Sequence, residues 1–180
     1  MRQLSAGPLG GRIHMKKNYL FALILFCLMG SCTNAKKEQL KSRIKEDWIS
    51  EQVSWDGKPV FIRYDRALKS FQKDLYRDLI RITVQFKSDN PNGFPNDLEA
   101  AKLWKYEDTL VASLTKNDES VFAGTVTFPN RRHFLFYSSK IDSSKRKLES
   151  VLNLFTEYQV EHGEYADSIW GAYEDFYRKK

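Results

Sequence analysis

The chain has 180 residues, with 29 lysines and arginines against 23 aspartates and glutamates and a formal charge of +6. Four of the basic residues, Arg2, Arg12, Lys16 and Lys17, lie in the first 31 positions, so 25 basic face 23 acidic residues beyond them and composition gives no argument for nucleic acid or anionic lipid. Both cysteines, Cys27 and Cys32, are also N-terminal, which excludes a disulfide, a cysteine nucleophile and a thiolate metal site from everything downstream.

In chain order, Met1 to His14 look unlike a targeting element and read as a start-site extension before Met15. Lys16 and Lys17 then precede an uncharged apolar run of 11 residues, Tyr19 to Met29, followed by Gly30, Ser31 and Cys32. A spanning helix needs roughly 20 apolar residues, so residues 1–31 read as a removable signal peptide of the lipoprotein type. Cys32 is the expected lipidation site, with Met29 in place of the commoner leucine three residues before it. More than one acyl chain makes such an anchor stable, at about 0.8 kcal/mol per buried CH₂. Residues 32–47, with five lysines and arginines, read as a tether. Lys36 and Lys37 stand where an acidic run would otherwise follow Cys32, so the anchor is expected to face the periplasm from the cell envelope.

Residues 48–180 are expected to form a single α+β domain. Trp48–Trp55 and Lys58–Asp65 alternate as strands around Asp56-Gly57, a dipeptide that favours positive φ at both turn positions and predicts a hairpin. Arg66 to Asp78 is a charged connection with room for a short helix. Leu79 to Phe86 places Ile80, Ile82, Val84 and Phe86 on one face of a strand and Arg81, Thr83 and Gln85 on a wetter one. The turn cluster Ser88 to Pro95 leads to Asn96 or Asp97 as cap of a helix carrying Leu103, Trp104, Leu110, Val111 and Leu114 to about Thr115. Ser120–Phe128 and Arg131–Ser138 form a second hairpin around Pro129-Asn130. Asp142 or Ser143 caps a helix with Leu148, Val151, Leu152 and Phe155 on its stripe. Tyr158–Glu164 is a last strand and Ser168–Tyr177 a short terminal helix. From Leu79 the order βαββαβ predicts a ferredoxin-like core, with the first hairpin extending the sheet or folding over its open face.

Trp55-Asp56-Gly57-Lys58-Pro59-Val60, Glu107 with Leu110 and Leu114, Ala123-Gly124-Thr125, and His133-Phe134-Leu135-Phe136-Tyr137 together resemble a bacterial family known as domain of unknown function 695, across Asp47 to Tyr177. The ending Trp170-Gly171-Ala172-Tyr173-Glu174-Asp175 is similar to that of the bacterial regulator of ribonuclease activity B, itself ferredoxin-like. The family resemblance carries no catalytic residue with it.

Chemistry-bearing residues are few. His133 and His162 lie on separate strands, and an acid–base or metal pair needs the sheet order to bring them together beside a carboxylate such as Glu161 or Glu164. Glu107 interrupts an apolar stripe near Trp104, and a buried glutamate needs a partner, for which Arg63, Arg81 or a backbone amide would serve. Glu99 suits the first helical turn, and with Asp108 reads as a solvated helix face. No nucleophile elbow, phosphate-cradling glycine loop or paired-histidine helix is present. Arg131, Arg132, Phe134 and Phe136 lack the glycine pattern of an RNA-recognition sheet. Trp170, Tyr173, Phe176 and Tyr177 form an aromatic tail that either packs on the core or offers a surface to an envelope protein. The reading is of a non-enzymatic, lipid-anchored, protein-binding domain with no cofactor, metal or nucleic acid. The alternative is small-molecule binding or hydrolysis in a pocket near His133 and Glu107.

Overall fold

The computed structural model describes residues 45–178. The expected signal peptide, the expected lipidation site Cys32 and all but the end of the expected tether lie outside the described residues. That end already belongs to the fold: the Asp47 N–H donates to Asp65 Oδ1 at 2.9 Å, and Arg66 Nε donates to Asp47 Oδ2 at 2.7 Å.

Among the described residues the architecture is α+β, a six-stranded antiparallel sheet with three helices. The strands are β1 (Trp48–Trp55), β2 (Lys58–Asp65), β3 (Asp78–Gln85), β4 (Ser120–Phe128), β5 (Arg131–Ser138) and β6 (Gln159–Ala166), and the helices α1 (Asp97–Leu114), α2 (Ile141–Leu152) and α3 (Gly171–Arg178). Asp56 and Gly57 both take positive φ, so the β1–β2 turn has the backbone its dipeptide favours. The connection after β2 forms two 3-10 turns, Arg66–Ser70 and Lys73–Leu75. Helix α1 is capped by Asn96, whose side chain accepts from the Glu99 N–H. Helix α2 departs from expectation, because neither Asp142 nor Ser143 caps it. It starts at Ile141 after Lys140, whose N–H donates to Ser138 Oγ, and Asp142 falls within its first turn.

The sheet order is β1-β2-β4-β5-β3-β6. It differs from the four-stranded order expected of a ferredoxin-like fold, because the N-terminal hairpin continues the sheet beyond β4 through β2. Helix α1 crosses from β3 to β4 and α2 from β5 to β6, each skipping one strand.

Alternation then sorts the interior into two layers. Ile80, Ile82, Val84, Phe134 and Phe136 meet Leu103, Leu110, Leu114, Leu148 and Val151 of α1 and α2. On the opposite face Val60, Ile62, Tyr64, Leu135 and Tyr137 pack under Leu68, Tyr76 and the C-terminal Trp170, Tyr173 and Phe176.

A bulge between Phe122 and Gly124 shifts the register of β4 against β5. As a result Thr125 and Thr127 share the α1 side of the sheet with Phe134, while Val126 joins the opposite core. Gly124 sits at φ +148°, and a Cβ there would stand 2.2 Å from the carbonyl oxygen of Arg63. Glycine is what lets β2 lie this close to β4. No helix among the described residues is long and apolar enough to cross a membrane.

Candidate functional site

Helix α1 does not cover the whole of its face of the sheet. Where it leaves β2 and β4 uncovered there is a cavity of about 540 Å³, lined by side chains of β1, β2, β4, β5 and α1 and by the turn before α1. Pockets for small ligands commonly span about 300–1,000 Å³ and combine apolar walls with a few convergent polar groups.

The wall before α1 is held by its own hydrogen bonds. Asn90 Nδ2 donates to the Phe94 carbonyl at 2.9 Å, and the Phe94 N–H donates to Asn92 Oδ1 at 3.0 Å. The Asn130 N–H donates to the Gly93 carbonyl at 2.8 Å and ties the turn to the β4–β5 hairpin. This fixes Phe94 edge-on to Phe61, with ring centroids 4.7 Å apart. Phe61 and Trp104, 43% and 44% exposed, stand at the mouth.

Four charged residues line the cavity, and one of them, Glu51, pairs with Ile62 and accepts from Tyr64 Oη at 3.2 Å, so its carboxylate lies toward the opposite core. Glu107, on the inward stripe of α1, is 4% exposed and forms an ion pair with Arg63 of β2. Burial pushes its carboxyl pKa up, while Arg63 and Arg132 pull it down. The Arg63 guanidinium lies 4.1 Å from the ring centre of Trp48 and 4.6 Å from that of Trp104, between two indoles. Arg132 of β5 is 9% exposed, and its Nε donates to Thr127 Oγ1 at 2.9 Å. Burial lowers its pKa from the ordinary guanidinium value, with Glu107 opposing, and an arginine still keeps its charge at neutral pH.

The Nη donors of Arg132 have no hydrogen-bond partner among the described residues. No buried side-chain polar atom is both shut off and unpartnered. Those donors therefore open onto space, and Arg132 lines this cavity. On the α1 side of the sheet two cations and one carboxylate leave a net positive charge, and the Nη donors point to where an anion would bind.

Of the residues singled out from sequence, Glu107 is buried as anticipated, with Arg63 as its partner. His133 is not near it. Thr83 of β3 pairs with His133, whereas its neighbour Ile82 pairs with His162, so the two histidines project from opposite faces and cannot meet. His133 is hydrogen-bonded through Nδ1 to Thr83 Oγ1 at 2.8 Å, and burial lowers its pKa to about 4. His162 faces Glu164, with Nδ1 3.4 Å from Oε1. Glu161 lies on the other face, accepting from Gln85 Nε2 at 2.9 Å. No group of three metal-ligating side chains converges among the described residues.

The aromatic tail packs inward. Trp170, Tyr173 and Phe176 are 0, 0 and 2% exposed. Trp170 stacks on Tyr137 at 4.0 Å and donates through Nε1 to the Tyr76 carbonyl at 2.7 Å. Tyr177 is half-buried against Tyr64 and Tyr173. These rings fill the second core, and three of the four present no surface to a partner protein.

Sequence reasoning weighed Arg132 only within an RNA-recognition sheet, which it set aside, and placed Trp104 on the apolar stripe of its helix. The only local signal was the arginine in a strand whose neighbours Phe134 and Phe136 point inward. The bulge that turns Thr127 toward Arg132 has no local signature beyond Gly124.

The model of a family described as a family of unknown function (DUF695) matches residues 46–177. No curated protein and no solved structure matches the chain.

Proposed function

The chain belongs to the DUF695 family of unknown function, and on that premise we propose that it is a non-catalytic binding domain that holds a small anionic ligand in the cavity between α1 and β2. The observation that carries this reading is Arg132, buried and charged, with Nη donors that the fold leaves unused at the wall of a ligand-sized space. Binding fits the site better than turnover. Glu107 is held by Arg63, so it is not available as a general base, and His133 lies across the sheet. We also assign the four strands β6-β3-β5-β4 and their two crossover helices to a ferredoxin-like core, to which β1 and β2 are added.

We place this domain in the cell envelope, anchored through lipid on Cys32 and facing the periplasm, from the signal pattern of residues 15–32. Cys32→Ala should move the chain from the membrane to the soluble fraction, and continued retention would overturn the anchor.

The binding reading is tested by saturation-transfer NMR of the purified full chain against a set of acidic, basic and neutral fragments. Fragments should bind, and Trp104→Ala should abolish their signal. No binding, or binding indifferent to Trp104, would overturn it.

A further inference from the structure

We infer that the ligand is a monocarboxylate carrying an aromatic or similarly flat apolar group, its carboxylate gripped by Arg132 and its flat group lying among Phe61, Phe94 and Trp104. This rests on the cavity being a ligand site, and adds the ligand's chemical class.

The charge balance decides between anions. Arg63 is already engaged, by Glu107 on one side and by the Trp48 and Trp104 rings on its faces. Arg132 is left as the uncompensated cation. With Glu51 turned to Tyr64, one negative charge balances the α1 side of the cavity, whereas a phosphate monoester brings nearly two and meets the carboxylate of Glu107 with no further cation to balance it.

The donor geometry agrees. With Nε spent on Thr127, Arg132 retains its two Nη groups, and a guanidinium presents its donors in a planar fork suited to a carboxylate. A ligand's carboxylate would give these donors a fixed acceptor in the cavity space onto which they open.

The remaining lining sets the other half of the ligand. Phe61 and Trp104 are large rings left substantially exposed at the mouth, and Phe94 is fixed edge-on to Phe61 by its turn. Rings in this setting favour offset or edge-on contact with another flat apolar group.

The test uses 3-phenylpropionate, its neutral amide, phenyl phosphate and acetate, titrated into the full chain and followed by saturation-transfer and chemical-shift NMR. 3-Phenylpropionate should bind at least about tenfold tighter than the amide, a difference of about 1.4 kcal/mol, and tighter than acetate or phenyl phosphate. Arg132→Gln should erase the preference for acid over amide while leaving amide binding in place. The acid-to-amide comparison on the unaltered chain stands even if that variant fails to fold. An amide that binds as well as the acid, a preference for phenyl phosphate, or acetate matching 3-phenylpropionate would overturn the inference and leave the cavity a ligand site. If no fragment of any charge binds, the reading beneath it fails as well.

Discussion

Against one face of the sheet, Tyr137, Trp170 and Tyr173 are buried with their polar atoms consumed inside the fold. Tyr137 Oη donates to Asp167 Oδ2 at 2.7 Å, Trp170 Nε1 to the Tyr76 carbonyl at 2.7 Å, and Tyr173 Oη to the Asp65 carbonyl at 2.7 Å. Against the other face Arg132 is comparably buried, yet only its Nε is spent on a protein acceptor. A fold that closes these bonds on one side and leaves a cation's donors open to a cavity on the other concentrates its binding capacity on the second. The aromatic face provides rigidity, and the α1 face provides chemistry.

Breaking the aromatic face should give the largest effect. Trp170 adopts φ +57°, an unfavourable backbone for a bulky residue, and holds it through its stacking on Tyr137 and its hydrogen bond to Tyr76. Trp170→Ala should cost about 4 kcal/mol in urea unfolding, with α3 detaching from the sheet.

The α1 face should respond next to loss of the ion pair. Arg63→Met leaves Glu107 buried beside Arg132 alone and should cost about 3 kcal/mol. The sign with pH follows from a folded-state pKa already raised by burial and raised further without Arg63. The penalty is small at or below the ordinary carboxylate value of 4.5, grows as pH rises from there, and levels off above the folded pKa. Pairing it with Glu107→Met should recover most of the loss, since an uncharged pair needs no compensation.

A smaller, purely pH-dependent effect sharpens the contrast between faces. His133 titrates at about 4 when folded against 6.5 in the unfolded chain, so the unfolded state takes up the proton first as pH falls. Its contribution is complete above pH 6.5 and is lost between there and about pH 4. His133→Gln should flatten the stability profile over that window. Glu119, lowered to about 2 by Lys147 and Ser143, acts below it, losing its contribution from pH 4.5 downward.

Trp104→Ala should have the least effect on stability, below about 1 kcal/mol, because the ring is 44% exposed. It should nevertheless remove fragment binding. A large loss of stability without loss of binding would reverse the division of labour between the faces.

Strand spans were readable from the chain wherever alternation or turn chemistry was strong. β1, β2, β4 and β5 begin and end where expected, and β3 differs by one residue. The start of α2 was not readable, because the helix begins at Ile141 after Lys140 with no side-chain cap, while Ser143 Oγ is spent on Glu119 Oε2 at 2.6 Å. Glu107 was found through its place in an apolar stripe, whereas Arg132 looked like an ordinary surface residue. The cavity it lines is completed by residues of β2, the turn before α1 and α1 itself, all remote from it in the chain.

Local periodicity and turn residues act over a few positions, and that range was enough to set the elements, the hairpins, the need of Glu107 for a cation and the signal pattern ending at Cys32. The attachment of the first hairpin to β4, the opposite orientation of the two histidines, the inward turn of the Trp170 tail and the open donors of Arg132 depend on which strands become neighbours. Strand pairing joins residues such as Arg63 and Thr125 that lie far apart in the chain. It is decided by the fit of whole surfaces, with Gly124 as the point where two backbones must nearly touch.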